Sequence, residues 1–257
     1  MLMPAVAGVM KRRLLVNYRA DPKVVQRLLP SPFEPKLQGG HAIVGICLIR
    51  LEKLRPAGLP AILTVSSENA AHRFGVTWLD VANERREGVF ISRRDSNAWL
   101  NYRAGGRLFP GVHHRADFSI SDDGAHVELA MSARDGEVRV EVVGDTAEFL
   151  PNSSCFDSAE AASAYFEPGA CGFSPAHESG KLDGMELCVS DWKVAPFSVV
   201  TARSSVFEDE RNFPAGSIEF DHALVMRDIR HVWRRIDATP ARVEAARSPV
   251  GSIGQGD

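Results

Sequence analysis

Along most of the chain apolar residues recur at every second position or fill short runs, and helical spacing is rare. The clearest pattern lies over residues 116–142. Val127, Leu129 and Met131 alternate with polar neighbours, as do Val138, Val140 and Val142, with turns at Asp122-Asp-Gly124 and Asp135-Gly136. Two Asp-Gly turns between period-2 segments predict a three-stranded antiparallel meander. Further strands are predicted over 13–20, 41–50 (entered through Gly39-Gly40), 62–78, 87–97, 185–190, 198–207 and 217–226.

Two segments carry helix signals. Asp21-Pro22 is an N-cap followed by proline at the first helical position, and it opens a helix over 23–29 that stops at Pro30. Asp157 caps a second helix over 158–166, ended by Pro168-Gly169. The cationic run over 227–235 reads as a solvated strand face. The pattern therefore predicts a mainly β (α+β) fold: an antiparallel barrel or pair of sheets with a few short helices. No repeat or linker divides the chain. One domain is expected over 12–237, between an N-terminal tail of 1–11 and a disordered tail of 238–257.

Composition removes several function classes. With 44 % hydrophobic residues the 257-residue chain can bury a large core, and a formal charge of −3 argues against a nucleic-acid or anionic-membrane surface. Only six of the 30 cationic residues are lysines. Arginine is the better partner for carboxylates, although a G- and C-rich genome produces the same bias. Cys47, Cys155, Cys171 and Cys188 form no metal-type spacing and read as small core residues in a reducing compartment. No run is long enough to cross a bilayer, and Lys11-Arg12-Arg13 follow rather than precede the apolar start. A cytoplasmic location is expected.

The candidate chemistry gathers around Ala98-Trp-Leu-Asn-Tyr-Arg-Ala-Gly-Gly-Arg-Leu-Phe-Pro-Gly-Val-His-His-Arg-Ala-Asp-Phe118. Pro110-Gly111 is turn punctuation. On the strand that follows, alternation sends His113 and Arg115 one way and His114 the other. Adjacent histidines on opposite faces do not ligate one ion, so no metal and no cofactor are expected. The stretch over 62–78 starts and ends apolar but holds Ser66, Ser67, Glu68, Asn69, His72 and Arg73 in its middle, as either a strand lining a cavity or an edge strand with one wet face would.

The stretch ending Phe109-Pro-Gly-Val-His-His-Arg-Ala-Asp-Phe118 resembles the YqjF-like family within the acetoacetate decarboxylase-like superfamily. The opening strand, Asp-Pro and short helix ending Leu-Leu-Pro is a second point of likeness. In the decarboxylases the corresponding turn carries a lysine that forms a Schiff base. The resemblance lays His114 on that lysine, Arg115 on its cationic neighbour and Glu68 on an active-site glutamate. It also sets Lys193, in Asp191-Trp-Lys-Val-Ala-Pro-Phe197, in a segment the family uses near its pocket.

It thus implies a decarboxylase-like fold, with Glu68, His114 and Arg115 in catalytic positions. Arg19, His72, Arg73, His113 and Lys193 would bind substrate. Imidazole cannot form an imine, so decarboxylation through a Schiff base is not expected. Two readings follow: a binding protein for a small carbonyl or carboxylic-acid compound, or an enzyme using His114 and Glu68 in acid–base chemistry on a small carboxylic acid. The expected partners are that ligand and, among proteins, at most further copies of the chain; no nucleic acid and no membrane are expected.

Overall fold

The computed structural model describes residues 5–58, 64–98, 111–167, 171–189 and 192–236. Residues 99–110, the middle of the stretch singled out above, and the expected tail from 238 lie outside them. In chain order the elements are β1 (Val6–Ala20), α1 (Pro22–Leu28), β2 (Glu34–Pro35), β3 (Leu37–Gln38), β4 (His41–Pro56), β5 (Val65–Leu79), β6 (Arg85–Ser96), β7 (His113–Asp122), β8 (His126–Ala133), β9 (Arg139–Thr146), α2 (Ala159–Phe166), β10 (Cys171–Pro175), β11 (Leu182–Val189), β12 (Ala195–Ser204) and β13 (Ile218–Ile236).

The alternating segments became strands, and the two Asp-Gly turns join β7, β8 and β9 as an antiparallel meander. Asp21 caps α1 through a 2.7 Å bond from the Lys23 amide, with Pro22 opening the helix. The cap of α2 is Ser158, not Asp157: the Ser158 hydroxyl takes the Ala161 amide at 3.1 Å. Residues 6–10 are not a tail. Their apolar alternation is paired on both sides, against β13 and β4. The cationic run is likewise part of the single long strand β13, in which His231 is buried.

The strands form one sheet that closes on itself twice. The first half of β6 pairs with β10 at Val89 and Phe90, and its second half with β7 at Arg94 to Ser96. Both contacts are parallel, so the sheet is mixed rather than wholly antiparallel. β13 divides in the same way: residues 223–225 hold β12 and residues 231–236 hold β11. A larger circuit therefore runs through β7, β8, β9 and β12, and a smaller one through β10 and β11. They share β13, β1, β4, β5 and β6.

Alternation gives each shared strand two different faces. Leu14, Val16, Ile46, Leu48, Phe74 and Phe90 point into the larger circuit and fill it. Such side chains each contribute about 1.5–3 kcal/mol when fully buried. Leu15, Ile43 and Cys47 point into the smaller circuit, where α2 closes one end with Tyr165 and Phe166. The smaller circuit is not filled.

Candidate functional site in the smaller circuit

A cavity of about 110 Å³ lies inside the smaller circuit. By comparison with a 150 Å³ cavity that accepts benzene, it has room for about five heavy atoms. Its apolar wall is built by Ile49, Leu51, Val89, Ile91, Leu187 and Trp233. Its polar wall is cationic: Arg13 from β1, Arg73 from β5, Arg94 from β6 and, beside them, His113 from β7.

None of these three arginines has an aspartate or glutamate within ion-pair distance among the described residues. Arg13 Nε donates to Cys47 Sγ at 3.2 Å and one Nη reaches Met226 Sδ at 3.7 Å, with the guanidinium over the Trp192 ring. Arg94 Nε donates to Ser174 Oγ at 2.9 Å. Arg73 lies 4.5 Å over the Phe166 ring, gives one Nη to Asn17 Oδ1, and its Nε is buried without a partner among the described residues. Burial pushes both Arg73 and Arg94 down to about 10, so each stays charged at neutral pH while its charge is costly there. The lining carboxylate Asp95 is taken up by Arg93 on the other face of the sheet.

A chain of buried groups sets the direction of Arg73. Asp221, as a carboxylate, accepts from His222 Nδ1–H at 2.6 Å, which leaves Nε2 to accept from Asn17 Nδ2 at 3.0 Å. Asn17 must then turn Oδ1 towards Arg73. Burial works to raise Asp221, but bonds from His222, the Cys155 amide and Ser154 outweigh it and hold the carboxyl far below its usual range.

His113 is delivered by Gly111, whose φ of +88° belongs to the left-handed region. A side chain there would also press on Ser174, 2.9 Å from the Cβ position. The Gly111 amide donates to Asp183 at 3.0 Å, and its carbonyl accepts from His113 Nδ1–H at 3.1 Å, leaving Nε2 as the unprotonated nitrogen. Burial, reinforced by Arg94, pushes the His113 pKa down to about 3.

Of the catalytic and substrate-binding candidates, Arg73 and His113 line this cavity and the others do not; Asn69, from the polar middle of β5, lines it as well. His114 takes the opposite face of β7, as alternation required, and its Nδ1 meets Asp135 at 3.0 Å. Glu68 is held by Arg12 at 2.8 Å and Arg50 at 3.5 Å; burial raises its pKa against those two cations. The expected meeting of Glu68 and His114 is absent: they stand two strands apart, each with its own partners. His72 is fully buried on the larger circuit's side, 2.9 Å from Ser204 Oγ. Arg115 is exposed. Arg19 pairs with Glu219 and Asp221, and Lys193 lies exposed in a separate outer groove with Arg227 and Arg230.

Sequence reasoning missed Arg13, Cys47 and Arg94. The signal was present in two Arg-Arg pairs set within apolar strands. Alternation must send one arginine of each pair to either face, so Arg12 and Arg93 enter one circuit and Arg13 and Arg94 the other.

The same fold is found in solved acetoacetate decarboxylases and their relatives. Acetoacetate decarboxylase from Legionella pneumophila superposes with a TM-score of 0.58 over 95 % of this chain and 88 % of that one, at 12 % identity. An acetoacetate decarboxylase-like enzyme from Sphingomonas wittichii RW1 gives 0.52 at 14 % identity, over 94 % and 93 %. The enduracididine biosynthesis enzyme MppR gives 0.53 at 12 %, over 93 % and 92 %. No curated protein matches by sequence. Residues 9–211 match DUF2071, described as an uncharacterized conserved protein, and the chain belongs to that family.

Proposed function

We propose that this protein binds a small carboxylate, such as a short oxo acid, in the smaller circuit. The observation that carries this is the set of three guanidinium groups lining a mostly apolar cavity, none with an aspartate or glutamate within ion-pair distance among the described residues. A buried charge left uncompensated is strongly unfavourable, and a bound carboxylate supplies the missing negative charge with bidentate geometry. The cavity volume restricts the ligand to about the size of pyruvate, and MppR of the same fold has been observed with pyruvate.

Binding without imine formation is the reading favoured here. All six lysines lie among the described residues, and none lines the cavity. His113, the imidazole at the site, is held neutral and is a weak base, which favours a hydrogen-bonding role over proton transfer at neutral pH. Calorimetry with pyruvate, glyoxylate and pyruvamide tests this. Both acids should bind and the neutral amide should not. Arg94→Gln should weaken acid binding by about 1.5–3 kcal/mol, the value of a charge-assisted hydrogen bond. Equal binding of pyruvamide would refute the carboxylate site. Borohydride treatment with acetoacetate should leave every lysine unmodified, and a stoichiometric adduct would restore the imine reaction.

A further inference from the structure

Four cysteines are free, and three of them share an acidic setting. Burial together with Asp221 pushes the Cys155 thiol up to about 12, and burial with Glu186 does the same for Cys171. Cys188 is raised by burial and by Glu186, whose carboxylate lies 3.8 Å from its sulfur. Cys47 is surrounded by the opposite charge. It lines the cavity, its side chain is buried, and its sulfur accepts from Arg13 Nε.

Among the described residues the Arg13 guanidinium donates to two sulfur atoms and lies over an indole ring, and a neutral thiol is a weak acceptor for a buried cation. A thiolate would complete an ion pair there. The partnerless Nε of Arg73, on a side chain 3 % exposed and lining the same cavity, points independently to a ligand beside this sulfur.

We propose that Cys47 is the nucleophile of the cavity, a thiolate paired with Arg13 and placed to attack a small electrophilic carboxylate held by Arg73 and Arg94. This rests on the carboxylate-binding reading above and adds a covalent step to it. With a short α,β-unsaturated acid, the sulfur forms a bond to the β-carbon and the π pair moves towards the carboxylate, where the guanidinium groups face the developing charge. The α-carbon then takes up a proton equivalent to the one lost by the thiol. The net change is addition of S–H across C=C, with no oxidant or leaving group. The charged or titratable groups lining the cavity around the sulfur are Arg13, Arg73, Arg94, Asp95 and His113, with Tyr165 packed behind it from α2.

Iodoacetate and iodoacetamide form a matched probe pair. In both, sulfur bonds to the methylene carbon and the C–I pair leaves as iodide, but only iodoacetate carries a negative charge. The full-length native protein is treated at pH 7 with each reagent, and labelling is read at all four cysteines by peptide mass mapping. Cys47 should favour iodoacetate over iodoacetamide by about tenfold or more, equivalent to one ~1.4 kcal/mol charge interaction. Cys188, beside Glu186, should favour iodoacetamide. Saturating pyruvate should slow Cys47 labelling several-fold and leave Cys188 unchanged. Arg13→Gln, checked for its melting temperature, should slow Cys47 labelling. Cys47 unlabelled, or preferring iodoacetamide, overturns the nucleophile. Calorimetry with pyruvate on the same sample separates the two ideas: binding retained means the nucleophile alone fails, and binding absent means the carboxylate site fails with it.

Discussion

The two faces of the shared strands are made from similar residues and settle their charges in opposite ways. On the larger circuit's side every buried arginine meets acids. Arg12 bridges Glu68 and Asp122, and Arg93 is bound by Asp95, Asp135 and Glu137. Across the sheet, Arg13 and Arg94 are the chain neighbours of those residues and meet sulfur, a hydroxyl and an indole ring. Burial is similar, with Arg93 4 % exposed and Arg13 9 %. What differs is whether the protein supplies the counter-charge. The filled face is a finished structural core, whereas the cavity face, under the proposed function, leaves its counter-charge to a ligand.

Exchanging one arginine on each face gives the largest expected contrast. Arg93→Met strands Asp95, which is wholly buried, together with the acids around it. Breaking such a pair from one side costs about 3–5 kcal/mol, read as a lower urea midpoint. Arg94→Met removes a half-buried cation with no acid within ion-pair distance among the described residues, so its stability should hold or rise while pyruvate binding is lost. Destabilisation of the same size in both variants would abolish the distinction between the faces.

Acid should act on both faces at once. Burial drives His72 and His113 down to about 3 and His231 to about 4, against an ordinary value near 6.5. The folded state keeps these rings neutral while the unfolded chain takes up protons near pH 6.5. Their contribution is therefore complete above that pH and is lost as pH falls from about 6.5 towards 4. Each ring costs roughly 1.4 kcal/mol per pH unit over that window. Urea midpoints measured from pH 7.5 to 4.5 should fall accordingly, and His72→Gln should make the slope shallower by about one proton. An unchanged slope would show that the ring takes no part.

Much of the fold was legible because strands and hairpins announce themselves locally. Alternation and Asp-Gly turns gave the meander of β7 to β9, and Asp21-Pro22 gave α1. The double closure was hidden, since it depends on β6 and β13 each dividing one edge between two partners far apart in sequence. The site was half legible for the same reason. Strand parity puts His113 and His114 on opposite faces, and Arg73 from the polar centre of β5 lines the cavity. Parity does not say which face is hollow, and the resemblance to the lysine turn pointed to His114. Arg12-Arg13 and Arg93-Arg94 carried the missing information, but as plain charge pairs they looked like surface until the strands around them proved to be buried on both sides.

The finest test of that separation uses the two adjacent imidazoles. His113 reaches the cavity with Nδ1–H fixed on Gly111, whereas His114 shares Asp135 with Arg93 on the opposite face and is partly open to water. His113→Asn shortens a polar group in the cavity wall and should weaken pyruvate binding by about 0.5–1.5 kcal/mol, the net value of one neutral hydrogen bond. His114→Asn removes a half-exposed contact that is distant from the ligand. It should leave binding and stability within about 0.5 kcal/mol, as substitutions away from buried networks do. Arg115→Ala, on an exposed side chain, should behave likewise. If calorimetry instead found the larger loss in His114→Asn, the binding face would be the filled circuit, and the cavity arginines would need another explanation.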